Sequence, residues 1–115
     1  MDAKLYRWED LPLDKPMNLL DRRRIIGDQA MISQVRLYRG CDVPMHAHEN
    51  EQFAMVMSGC LRFRIGEKSP RELVVSGGEV LHLPANVPHS AYAEEDTLVL
   101  DVFSPPSEKT GIDRT

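Results

Sequence analysis

The spacing of glycine and proline limits this chain more than any other feature. Gly27, Gly40, Gly59, Gly66, Gly77-Gly78, Pro84, Pro88 and Pro105-Pro106 leave segments of only about 5 to 10 residues between breakers. Helices of ordinary length do not fit such gaps, whereas short strands joined by turns do. The strands are expected at 32–38, 43–48, 52–57, 60–65, 72–75, 79–83, 90–93 and 98–103. Period-two alternation is clearest in Leu61-Arg62-Phe63-Arg64-Ile65, which puts both arginines on the face away from the core. Only the first ~25 residues leave room for a helix, and Pro12 and Pro16 keep it short. Eight short strands, each with one buried face, make a sandwich or a barrel.

A chain of 115 residues is one domain, because two halves would each lack a proper core. The barrel is expected over about 25–105, with residues 1–24 peripheral and the polar tail 107–115 loose. Net charge is -4, from 14 Lys and Arg against 18 Asp and Glu, which makes the chain a poor partner for nucleic acid. No apolar run approaches the ~20 residues of a membrane span, and the first residues carry no apolar signal segment. Two cysteines are too few for a disulfide scaffold or a four-cysteine zinc site. The expectation is a cytoplasmic protein with reduced thiols and no membrane contact.

The histidines carry the chemistry. His46 and His48 are two apart, so on a strand they share a face. If Glu49-Asn50-Glu51 is a three-residue hairpin loop, Gln52 is the cross-strand partner of His48 and points the same way. His89, in a loop stiffened by Pro84 and Pro88, is the fourth candidate ligand. Three imidazoles and one amide oxygen suit one divalent transition metal ion, and Mn, Fe, Co, Ni, Cu and Zn all accept such a set. With no anionic ligand the ion keeps its full charge and is a strong Lewis acid. The same hairpin register offsets Cys41 and Cys60 by one residue, so free thiols are expected. Glu49 and Glu51 read as solvated loop charges and His82 as a structural or interface histidine. Arg22-Arg23-Arg24 reads as a solvated face or dimer rim, and Met31, Met45, Met55 and Met57 as core or interface filler.

Gly40-x5-His46-x-His48-x3-Gln52-x6-Gly59 has the spacing of the first cupin motif, and Gly78-x5-Pro84-x-Asn86-x2-His89 resembles the second. The first motif usually has Glu at the position of Gln52; the second usually has Gly where Asn86 stands and Asn where Ala93 stands. The resemblance implies an all-β, single-domain cupin, a double-stranded β-helix barrel of jelly-roll type, and a homodimer. A narrower resemblance is to the KdgF-type cupins of pectin and alginate degradation, which carry Gln in the first motif. Their last strand reads Asp-Val-Phe-Ser-Pro-Pro-Arg, as Asp101-Val102-Phe103-Ser104-Pro105-Pro106 does here, with Ser107 in place of the Arg.

That family opens 4,5-unsaturated uronates to linear keto sugars. The resemblance therefore implies a metal-dependent enzyme whose small-molecule substrate is a sugar acid. Asp101 is the acid/base candidate, and Phe103, on the same face by parity, lines the cavity. A carboxylate beside an uncompensated cation is expected to favour its ionised form. The alternatives are a metal-dependent dioxygenase and a non-enzymatic cupin that binds or senses a small molecule.

Overall fold

The computed structural model describes residues 2–112. After a 3-10 turn at Trp8–Asp10, ten strands follow: β1 Asp14–Met17, β2 Leu20–Ile26, β3 Met31–Leu37, β4 Asp42–His46, β5 Glu51–Ser58, β6 Cys60–Ile65, β7 Arg71–Ser76, β8 Val80–Leu83, β9 His89–Ala93 and β10 Thr97–Ser104. They form a six-stranded sheet, β1-β2-β3-β10-β5-β8, and a four-stranded sheet, β4-β9-β6-β7. Every pairing is antiparallel. This is the all-β jelly roll expected, and all eight anticipated strands are present. No helix among the described residues is long and apolar enough to cross a membrane.

Alternation builds the core. In β10 each second residue, Thr97, Val99, Asp101 and Phe103, is buried. Leu61 and Phe63 of β6 face them from the other sheet, while Arg62 and Arg64 point outward. The two sheets thus bury one face each against the other, the standard solution for sheets packed face to face.

The N-terminal region differs from expectation. Residues 14–26 hold two strands rather than a peripheral segment, and Leu20 is part of the core. Pro16 is accommodated because β1 is the sheet edge, where a missing N–H costs no ladder bond. Arg22 is not solvated. It is 2% exposed, and its guanidinium donates through Nε and Nη2 to the Asp14 carboxylate at 3.1 and 2.7 Å.

The 48–52 hairpin does not exist either. β4 lies in the four-stranded sheet and β5 in the six-stranded one, so residues 47–50 carry the chain across the gap. Gln52 pairs with Leu83 and Phe103, not with His48. Cys41 and Cys60 are free thiols, although the register used to infer this is absent. The chain changes sheets again at Gly59, between β5 and β6. Its φ is +94°, and a Cβ there would overlap the Asp96 carbonyl oxygen and Thr97 Oγ1. Only glycine suits that crossing.

Candidate metal centre

The strands deliver the proposed ligands to one end of the barrel, where β4 and β10 end and β5 and β9 begin. His46 closes β4 and is the direct cross-strand partner of His89, which opens β9. His48 follows in the crossing loop, and Gln52 is the second residue of β5. One ring nitrogen from each histidine lies within 4.8 Å of those of the other two. The ring centroids are 4.3 Å apart for His46 and His89, 5.1 Å for His48 and His89, and 5.6 Å for His46 and His48.

Backbone carbonyls decide which nitrogen is available. Nδ1 of His46 donates to the Pro44 carbonyl at 2.7 Å, that of His48 to Asn50 at 3.0 Å, and that of His89 to Val87 at 2.9 Å. A carbonyl can only accept, so each Nδ1 carries the proton and each neutral ring keeps its lone pair on Nε2. This outer layer of hydrogen bonds orients metal-binding histidines.

Gln52 supplies the decisive contact. Its Nε2 donates to Asp101 Oδ1 at 3.0 Å, which turns Oε1 toward His48 Nε2 at 3.1 Å. Two acceptor atoms at that distance repel unless a cation or proton lies between them. The donor set therefore fits a transition metal ion held by Nε2 of His46, His48 and His89, with the Gln52 amide oxygen beside them. Burial pushes the His89 imidazole down to about 4, with the charges of His46 and His48 adding and the Val87 carbonyl opposing. It is thus kept in the neutral form a metal needs.

Asp101 and Phe103 both point into the same cavity. Burial pushes the Asp101 carboxyl up to about 7, against the Gln52 amide, which favours the charged form. In the metal-free protein desolvation therefore outweighs the ionisation expected from sequence. Phe103 packs edge-on to the His48 ring, centroids 5.7 Å apart. The remaining cavity is small, about 40 Å³, room for one or two water molecules.

Other expectations resolve individually. Glu51 points outward at the start of β5 and bonds His82 Nε2 at 2.7 Å. His82 also stacks on Phe53, centroids 4.6 Å apart, away from the centre. Asn86 takes φ +65°, a left-handed conformation that asparagine tolerates better than most residues. It can therefore stand where the second motif usually has Gly. Its N–H donates to the His48 carbonyl at 2.8 Å, tying the second motif to the first.

Sequence reasoning missed Asn50. It is 1% exposed, its amide bonds the Pro105 carbonyl, and its own carbonyl holds His48. A short polar residue between two candidate ligands was the available signal. Reasoning also missed the tail. Thr110 is 4% exposed, Ile112 packs on the core, and both line the cavity. The expected loose tail thus holds for neither residue; positions 113–115 lie outside the described residues.

The family model of the Cupin domain matches residues 33–103. The chain belongs to the cupin family. An RmlC-like cupin from Shewanella frigidimarina NCIMB 400 superimposes on this cupin with a TM-score of 0.84 at 20% identity, covering 93% of this chain and 95% of that one. KdgF from Halomonas sp. gives 0.79 at 26% identity, covering 91% and 97%. Oxalate decarboxylase from Bacillus subtilis gives 0.77 at 22% identity, with 91% of this cupin matching 30% of that chain. No curated protein matches in sequence.

Proposed function

We propose that this cupin is a metal-dependent enzyme that opens the ring of a small unsaturated uronate to its linear keto form. The observation that carries the reading is the chain of contacts from His48 through Gln52 to Asp101, at 3.1 and 3.0 Å. It joins the histidine cluster to a buried carboxyl in one cavity. The similarity to Halomonas KdgF, with Gln52 and the Asp101-Val102-Phe103-Ser104-Pro105-Pro106 run, supports the substrate class.

His46, His48, Gln52 and His89 would hold the ion. When bound, it supplies Lewis acidity toward a substrate oxygen. Asp101 takes the proton of the anomeric hydroxyl as the ring C–O bond breaks. It returns that proton to the enol carbon, so the reaction is an isomerisation with no net proton change. Asp101 is buried in the same cavity as the ligand cluster, which places its carboxyl to hold that proton between the two transfers. Gln52 holds Asp101 in place, and Phe103 walls the cavity and shields it from water. A reduced, cytoplasmic setting fits the two free thiols.

The test is turnover of a 4,5-unsaturated uronate by metal-loaded protein, followed as loss of its ultraviolet absorbance. Absence of turnover with every first-row metal from Mn to Zn rejects the reading. One observation favours a binding or sensing role instead. Ser107 stands where the ring-opening cupins have Arg, and its hydroxyl is spent on Lys109 backbone at 2.9 and 3.1 Å. Tight uronate binding without turnover would establish that role.

A further inference from the structure

The C-terminal segment lies across the mouth of the metal cavity. The last strand ends at Ser104, and residues 107–112 join neither sheet. They nevertheless turn back onto the site. Thr110 is 4% exposed and Ile112 packs against the core cluster. Between them Gly111, at φ +92°, lies against the His46 ring, so close that a Cβ would overlap three ring atoms. The approach requires glycine twice over, once for the conformation and once for the space.

With the segment seated, the cavity is about 40 Å³. One or two waters fit there; a six-carbon sugar acid is several times larger. Ligand sites usually enclose most of their ligand, and this cavity encloses anything larger than a few atoms only if part of its wall moves. The wall most easily displaced is the one outside the sheets. Moving a strand breaks a whole run of ladder hydrogen bonds, whereas residues 109–112 belong to no ladder and are held by the seating of Thr110, Gly111 and Ile112. The base of the segment is fixed: Arg24 Nη1 donates to the Glu108 carbonyl at 3.0 Å, and Ser107 closes a local turn with Lys109. The tip beyond Lys109 can lift while the base stays.

We propose that residues 109–112 form a displaceable plug that covers His46 and competes with substrate for the cavity. The proposal rests on this cavity being the working site, but not on the uronate being its substrate. A plug of this kind lowers apparent affinity by the fraction of molecules that are open. It admits small molecules freely and bulky ones only by exchange.

The test compares wild type with Gly111→Ala, which cannot seat against His46, and Ile112→Asn, which loses the apolar anchor. Both changes lie outside the sheets, and both proteins keep the full chain. The first readout needs no metal: labelling of each histidine by diethyl pyrocarbonate, read by mass spectrometry on metal-free protein. His46 should react at least about fivefold faster in both variants, as expected for an open fraction raised from a minority. His82, exposed and remote, is the internal standard. The second readout is the rate at which EDTA, a bulky polycarboxylate, strips zinc from loaded protein. It should rise about tenfold in both variants. Unchanged His46 labelling in both variants means that the segment does not cover the site in solution and overturns the proposal. Faster labelling with unchanged stripping means that it covers His46 without gating the ion, which also overturns it. Acceleration of both, with no uronate turnover by any of the three proteins, upholds the plug and removes the ring-opening reading alone.

Discussion

The histidines at the barrel mouth are fitted to bind a metal by what holds their other nitrogen. Because Pro44, Asn50 and Val87 carbonyls take the Nδ1 protons, the lone pair of each neutral ring lies on Nε2. Purified protein should therefore carry close to one transition metal ion per chain by elemental analysis, and His46→Ala with His48→Ala should abolish it. Chelation should lower the melting temperature of wild type, since an ion that binds only the folded state stabilises by mass action.

Asp101→Asn keeps size and the bond to Gln52 while removing the proton acceptor. It should retain metal and lose roughly 10²-fold or more in turnover. Its stability profile is informative without substrate. Folded His89 stays neutral down to about 4, whereas the unfolded residue takes up a proton below about 6.5. Stability from this source falls as the pH drops across that window. Asp101 acts in the opposite sense. Folded, it keeps its proton up to about 7, whereas the unfolded chain releases it above about 3.9, so stability falls as pH rises between those values. The two slopes oppose each other in the metal-free wild type. Removing Asp101 should leave the histidine slope exposed. Between about pH 4.5 and 6.5, calorimetry in chelator should show the variant gaining about 1.4 kcal/mol per pH unit relative to wild type.

At the scale of elements, the crossings between sheets are the sensitive points. Gly59 turns β5 into β6 against Asp96 and Thr97. Gly59→Ala meets both a conformational penalty and a backbone overlap, and should cost about 3 kcal/mol. Denaturant unfolding would register this as a lower midpoint with unchanged slope. The β3–β4 connection is tested by chemistry. Burial, with Asp42 beside it, pushes the Cys41 thiol up to about 11, while Cys60 is half-exposed. Iodoacetamide at about pH 8 should label Cys60 and spare Cys41 until the protein unfolds, because the thiolate is the reactive species. Equal labelling of both in folded protein would contradict the placement of β4.

At the scale of the whole molecule, the outer face of the six-stranded sheet carries an apolar patch. Ile25, Ile32, Val102 and Phe53 form one transverse row across β2, β3, β10 and β5, and Met57 and Val80 lie exposed nearby. This face, rather than the arginine-bearing face of β6, is where we place the proposed homodimer. Light scattering should return a dimer burying at least ~1,000 Å² in total, and Phe53→Glu should yield monomers that keep their metal.

What sequence alone determined follows from local rules. Glycine and proline spacing set strand lengths. Alternation assigned Leu61 and Phe63 to the inner face and put Asp101 and Phe103 on one common face, and the His-x-His spacing picked out the centre. Those signals survive because side-chain direction in a strand depends on parity, not on the partner. Partnership was not legible. His48 and Gln52 do meet, but across the gap between two sheets and not across a hairpin, since the local pattern is the same for either path. Arg22 looked like a solvated charge because its burial depends on which strand covers it. Gly111 lies on His46 from 65 residues away, and no local pattern announces such a return. Contacts between residues distant in sequence depend on loop paths and sheet order, and only the folded chain decides those.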